Sequence, residues 1–288
     1  MEAKIVQDID WNRVWEEQTL LWRDSAGKSC KEFWADEGAA RVYSQKAGGS
    51  RSERVIKTVA GLGLTPATRV LDIGAGPGNL ALPMAQTARS VTTVEPSPGM
   101  NQVMARKISD RKAGNIIQVE KTWEAVDPDN DLSAPYDLVL ASMSLGMKDI
   151  RAAIEKMNRV CRGRVVVFWH AGIPGWEIMP RALWPKLFNM DYYGGPKSDV
   201  LFQVLYQMGI YPEIQVASNR FSEVFEDLEK AKDYYFRRFT CLKPEHGKAL
   251  EEFLLGHCEQ TEQGVTHDFV HESMRFEWQI KETDNDKH

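Results

Sequence analysis

Between residues 70 and 79 the chain reads Val-Leu-Asp-Ile-Gly-Ala-Gly-Pro-Gly-Asn. A short apolar run that ends at an acid and then breaks into glycines at alternate positions specifies a buried strand delivering the backbone into a tight loop. Gly74, Gly76 and Gly78 permit backbone angles closed to other residues and let main-chain N–H groups approach a ligand with no Cβ in the way. Leu80-Ala81-Leu82-Pro83-Met84-Ala85 then opens a helix, with Pro83 in its first turn, where a missing N–H costs least. A strand, a glycine loop and a helix in that order point to an open α/β sheet that holds a ligand at the loop.

The next strand narrows the choice of ligand. Val91-Thr92-Thr93-Val94 closes on Glu95, and a carboxylate at the end of a second strand can accept from both hydroxyls of a ribose. A dinucleotide fingerprint would place its third glycine at Asn79 rather than Gly78. A nicotinamide oxidoreductase is therefore the weakest rival reading.

Three segments carry a family likeness: Val70 to Gly78, Val91 to Met100 with its Glu95-Pro96-Ser97-Pro98-Gly99, and Tyr136-Asp137-Leu138-Val139-Leu140-Ala141. They resemble the first, second and fourth motifs of class I S-adenosylmethionine-dependent methyltransferases, and the resemblance covers residues 50 to 170. It implies S-adenosylmethionine as cofactor and S-adenosylhomocysteine as product. It gives Asp72 a structural hydrogen-bonding role and assigns the backbone of Gly74, Ala75, Gly76, Pro77 and Gly78, with Asn79 in the same set, to the methionine moiety. Glu95 would hold the ribose beside Pro96 and Ser97, and Met100 would press on the adenine face.

Past the third strand, Ile116 to Val119, stand Thr122-Trp123-Glu124. By resemblance this is the third motif, where an acid and its neighbour meet the adenine amino group and an aromatic covers the ring. Trp123 also reads as an ordinary half-buried aromatic. After the fourth strand, Asp137 to Ala141, come Ser142 and Met143, which would line the methyl-transfer pocket or else serve as a turn cap and a core residue. The segment lacks the acid or Asn, the two prolines and the aromatic that orient a base amine in nucleic-acid methyltransferases. It looks like that of enzymes acting on small molecules.

The fifth strand, Val165-Val166-Val167-Phe168, is apolar on both faces, as buried parallel strands are, and Trp169 and His170 leave its carboxyl end. His170 is the best-placed titratable group for a general base, or else a structural histidine. The four cysteines are widely spaced, with no Cys-x-x-Cys pair, so neither a disulfide framework nor a metal site is indicated. The exception is His257-Cys258 followed by His267 and His271, a candidate metal site if the two histidines share a helix face at i and i+4.

With 288 residues, 43% of them apolar, the chain can bury a sizeable core, and its net charge of −5 with no basic block argues against a nucleic-acid partner. No signal-peptide pattern or bilayer-length apolar run is present, so a soluble, cytoplasmic protein is expected, with no membrane partner. A homodimer is compatible with the sequence.

Outside the central motifs, Asp10 caps a helix carrying Trp11, Val14, Trp15 and Trp22 near a 3.6-residue period. A second helix over Lys31 to Gln45 carries Tyr43, a candidate cofactor contact, and leads into the joint Ala47-Gly48-Gly49-Ser50. An aromatic, proline-broken stretch holding Trp176, Trp184, Phe188, Tyr192 and Tyr193 precedes a sixth strand at Glu213 to Ala217. A helical insertion from Ser222 to Glu262, with Phe225, Leu228, Ala231, Tyr235 and Phe239 at near-helical spacing, precedes a seventh strand at Met274 to Ile280.

The expected architecture is an α/β, Rossmann-like, doubly wound seven-stranded sheet whose last strand is antiparallel. Residues 1–50 form an N-terminal helical lid, 51–218 the cofactor-binding core, 219–264 a helical cap inserted before strand seven, and 265–288 the final strand and tail. The expected activity is transfer of a methyl group to a small-molecule acceptor. An RNA or protein methyltransferase and a non-catalytic S-adenosylmethionine-binding module are the alternatives.

Overall fold

A computed structural model of the chain describes residues 9–26, 40–41, 44, 52–262 and 264–280. Tyr43, most of the expected second N-terminal helix, the glycine joint and the tail lie outside the described residues. In chain order the elements are α1 (Trp11–Ala26), α2 (Glu53–Ala60), β1 (Arg69–Ile73), α3 (Ala81–Met84), β2 (Ser90–Val94), α4 (Pro98–Arg111), β3 (Ile116–Val119) and β4 (Tyr136–Ser142). There follow α5 (Ile150–Val160), β5 (Cys161–His170), α6 (Ile178–Phe188), α7 (Ser198–Gln207), β6 (Glu213–Phe225), α8 (Leu228–Arg238), α9 (Gly247–His257), β7 (Glu259–Thr261) and β8 (Gly264–Gln279). They divide into a core unit (Cys30–Trp169, Val204–Gln215, Arg275–His288) and an appended unit (Met1–Ser29, His170–Gln203, Val216–Met274).

The sheet runs β3-β2-β1-β4-β5-β8-β6, with the short β7 on β8. β1 pairs parallel with β2 and β4, β2 with β3, and β4 with β5. Ile280 N–H donates to Gly163 C=O and Ala171 N–H to Glu272 C=O, so the chain advances along β5 as it retreats along β8. The last strand is antiparallel, as expected.

Local chemistry accounts for the element boundaries. Asp10 accepts from the backbone of Asn12 and Arg13 and starts α1, while Asp149 accepts from Ala152 N–H at 2.9 Å and starts α5. Ile150, Ala153, Ile154, Met157 and Val160 form the buried stripe of α5. In the core unit Val70, Leu138, Leu140 and Val166 of the sheet pack with Val55 of α2 and Ala81 and Met84 of α3.

The end of the chain departs from the expected boundaries. β6 runs past Ala217 to Phe225, helical structure begins only at Leu228 on the Asp227 cap, and β8 begins at Gly264. Phe225 is therefore a strand residue, and His267 and His271 alternate along a strand rather than along a helix. Spacings of four put residues on one face of either element. The pairing that makes this stretch a strand is non-local. In the appended unit Trp184, Tyr192, Phe225, Tyr235, Phe239, Leu250 and Phe253 form the buried core.

Candidate functional site

β1 and β2 end level, Ile73 opposite Val94, and the chain turns at Gly74. Gly74 and Ala75 N–H both donate to Val94 C=O, at 2.7 and 3.3 Å, and Gly78 N–H closes the turn on Ala75 C=O at 3.1 Å. Gly74, Gly76 and Gly78 sit at φ 70°, 57° and 75°, the left-handed region that favours glycine. A Cβ at Gly74 would lie 2.2 Å from Ser144 Cβ, whose hydroxyl donates to Ile73 C=O at 2.6 Å. At Gly76 nothing lies within 4 Å. The crest of the loop is open to a ligand.

Glu95 locks the loop to the next helix. Its carboxylate accepts from Gly76 N–H through Oε2 and from Ser97 N–H through Oε1, both at 2.8 Å. Ser97 caps α4 by accepting from Met100 N–H, and Asn101 Nδ2 donates to Glu95 C=O at 2.8 Å. Burial pushes the Glu95 carboxyl above the usual carboxylate range, and the two N–H donors pull it part of the way back.

Asp72, at the fourth position of β1, is 2% exposed, and its Oδ2 is buried with no hydrogen-bond partner. Burial, and after it the charge of Glu95, push its carboxyl up to about 7.

This raised value has a stability consequence. The folded state holds the Asp72 proton to a higher pH than the unfolded chain does, so the stabilising effect is complete below pH 4 and is lost as pH rises through 7. At pH 8 the buried charge then costs up to ~4 kcal/mol, at about 1.4 kcal/mol per pK unit. Asp72→Asn is expected to resist urea better than the wild type at pH 8, with the gap closing towards pH 4. A gap that does not change with pH would contradict the assignment.

Other expected residues are placed as follows. Asn79 is buried, and its Oδ1 accepts from Lys107 Nζ at 3.0 Å. Met100 is buried among Ala40 and Val103, and Pro96 is half-buried beside Glu95. Ser142, half-buried, ends β4, and Met143 takes a left-handed φ of 56°, a conformation that costs a non-glycine residue free energy, with its N–H bonded to Phe168 C=O. Thr122 caps a short turn by accepting from Ala125 N–H. Trp123 is 3% exposed, its Nε1 donates to Ala153 C=O at 3.1 Å, and Lys156 lies over its ring. The indole N–H is thus spent on α5, and Glu124 points to solvent.

Lys107 on α4 was not a sequence candidate, since a lysine on a polar helix face reads as solvated. Its Nζ donates to Pro77 C=O at 2.9 Å, to Asn79 Oδ1 and to Ser44 Oγ at 2.6 Å, tying the glycine loop to α4. Burial, and then Arg111, lower its ammonium to about 8.

His170 belongs to the appended unit. Its Nδ1 lies 2.9 Å from His271 Nε2, and Trp176 meets both rings edge-on at 5.1 Å. Burial, then His271 and Lys197, lower His170 to about 3, so its imidazole is neutral and only weakly basic at neutral pH. His271 carried a sequence signal only as a partner of His267, whose ring instead meets the Tyr235 hydroxyl at 3.2 Å. Among the described residues no group of three His, Cys, Asp or Glu side chains is set to hold a metal ion, and no helix is long and apolar enough to cross a membrane.

Residues 70–163 match the model of a family described as a methyltransferase domain. An uncharacterized protein of Haemophilus influenzae is 30% identical over 164 residues, 55% of this chain and 58% of that protein. An uncharacterized protein of Mycobacterium tuberculosis is 30% identical over 105 residues, 36% of this chain and 37% of that one. The chain thus spans less than two thirds of the length of either relative. Among solved structures, a candidate methyltransferase of Bacillus halodurans superposes with a TM-score of 0.57 at 13% identity, over 80% of this chain and all of that one. A phosphoethanolamine N-methyltransferase of Haemonchus contortus, solved with phosphomonomethylethanolamine and S-adenosylhomocysteine, superposes with a TM-score of 0.55 at 14% identity, over 88% of this chain and 60% of that one. At these identities the likeness to the solved structures is one of fold.

Proposed function

We propose that this chain, whose residues 70–163 match a methyltransferase-domain family, is a class I S-adenosylmethionine-dependent methyltransferase that methylates a small-molecule acceptor. One observation carries the reading: a glycine loop at the carboxyl end of β1, open at Gly76 and braced by the Glu95 carboxylate. Those residues fit S-adenosylmethionine, which supplies an already activated methyl group on a sulfonium centre. The backbone of Gly74 to Gly78 would hold its amino-acid end, and Glu95 its ribose hydroxyls. Lys107 positions the loop through Pro77 and Asn79. Because the methyl group arrives activated, positioning can supply much of the rate.

The direct test is calorimetric titration of S-adenosylhomocysteine into the full-length protein. Saturable one-to-one binding is expected, and no heat at millimolar ligand would sink the reading. The small-molecule assignment rests on the acidic net charge and on the segment after β4, which lacks an amine-orienting motif.

Within this reading the transfer does not require His170 as a general base. A group lowered to about 3 stays neutral but is too weak a base to draw much proton at pH 7. His170→Gln, which keeps a hydrogen-bonding side chain, is expected to hold activity within about tenfold, whereas loss of a working base costs ~100-fold or more. Steady-state rates across pH 5 to 9 decide it. An acid limb near pH 6.5 that disappears in His170→Gln would restore the general-base role.

A further inference from the structure

The appended unit contains a cavity of about 660 Å³, within the range of small-ligand sites. Two cations stand on its wall, Arg181 of α6 and Lys197 just before α7. Both bond one buried carboxylate, Glu177, whose side chain is 3% exposed: Lys197 Nζ reaches Oε1 at 2.6 Å, and Arg181 reaches Oε2 through Nε and Nη2 at 3.3 and 3.1 Å. An ammonium offers three donors and a guanidinium five. Among the described residues, Glu177 accepts from both cations, which leaves N–H donors over on each.

The remaining lining divides by position. Leu21, Ile173 and Tyr193 give apolar surface. Asp191 and Asp199 also line the cavity and are exposed, as is Arg181, and the Asp199 carboxylate favours the charged form of Lys197, so an anion must be held by the directed N–H donors rather than by net charge. Lys197, by contrast, has a side chain only 18% exposed, and burial lowers its ammonium below the usual lysine range despite Glu177.

The wall is held by specific contacts. Trp22 Nε1 donates to Tyr192 Oη at 3.2 Å, Ser25 Oγ to Tyr193 C=O at 3.0 Å, and Trp184 Nε1 to Ser25 C=O at 2.9 Å. A Cβ at Gly194 would lie 2.1 Å from Glu177 Oε2, so glycine is required for the loop to pass over the carboxylate.

We propose that this cavity binds the oxyanion group, carboxylate or phosphate, of a small ligand whose apolar body lies against Leu21, Ile173 and Tyr193, the oxyanion taking the donors of Lys197 and Arg181 that Glu177 leaves over. The inference concerns the appended unit alone and does not depend on the methyl-donor reading.

The test titrates the full-length protein with phenylacetate, phenyl phosphate and the neutral 2-phenylethanol, followed by tryptophan fluorescence. One of the two anions is expected to bind about tenfold or more tighter than the alcohol, in keeping with charge-assisted hydrogen bonds, and the tighter anion identifies the oxyanion. Lys197→Met should weaken it about tenfold, while Lys197→Arg stays near wild type. Should Lys197→Met melt early, the more exposed Arg181→Gln carries the same expectation. The proposal is overturned if the alcohol binds as well as both anions, if no probe binds at ten-millimolar concentration, or if neither variant weakens the anion. S-adenosylhomocysteine affinity, measured on the same samples, reports separately on the donor site.

Discussion

Replacing Gly74 with alanine is expected to destabilise the protein by about 2–5 kcal/mol, whereas the same change at Gly76 should leave the fold nearly intact and remove ligand binding. Both glycines hold a left-handed φ, so alanine at either pays the backbone strain of ~1–2 kcal/mol. The surroundings separate them. At Gly74 the new methyl would overlap Ser144 Cβ at 2.2 Å, and Ser144 cannot retreat without breaking its bond to Ile73 C=O. Such overpacking adds a further ~1–3 kcal/mol.

At Gly76 the methyl meets nothing within 4 Å and enters the open space over the loop crest. Thermal melts should therefore show a large drop for Gly74→Ala and a small one for Gly76→Ala, while only the latter yields a folded sample that fails to bind S-adenosylhomocysteine. Equal melting temperatures, or Gly76→Ala binding within about threefold of wild type, would contradict the geometry.

Glu95→Gln is expected to lower S-adenosylhomocysteine affinity by ~10–100-fold, the worth of one or two hydrogen bonds to a charged group. The carboxylate accepts from Gly76 N–H with one oxygen and Ser97 N–H with the other. An amide keeps one acceptor and turns an N–H₂ donor towards the remaining backbone N–H. One end of the loop-to-helix brace is lost, together with the charge that would face the ribose diol. Stability moves less, because relief of the buried charge beside Asp72 offsets the lost bond. Calorimetry at pH 7.5 with a matched urea melt measures both quantities. Unchanged affinity in a folded Glu95→Gln sample would remove Glu95 from the site.

The parts that were legible are those governed by neighbouring residues. Gly74, Gly76 and Gly78 announced the loop because their φ is a local property, and Asp10 announced a helix start because it accepts from an N–H three residues on. Phe225 misled because three-residue spacing to Leu228 looks helical, while β6 is extended by pairing with β8, far along the chain. Trp123 gave no sign in the sequence that its indole N–H would bond Ala153 C=O, thirty positions on. Lys107 gave no signal, since nothing in a polar helix tells a solvated lysine from one that clamps Pro77 and Asn79.

Legible from neighbouring residues alone were the β1 end, the glycine loop and the placing of Glu95 at the end of β2, all products of backbone angles and strand ends that those neighbours dictate. The tertiary structure alone decided which side chains meet: Glu95 with Gly76, Lys107 with the loop, His170 with His271, and Glu177 beneath two cations. The reason is physical. Backbone conformation is set within a few residues, but protonation, orphaned donors and cavities arise from burial, and burial exists only once distant segments have packed.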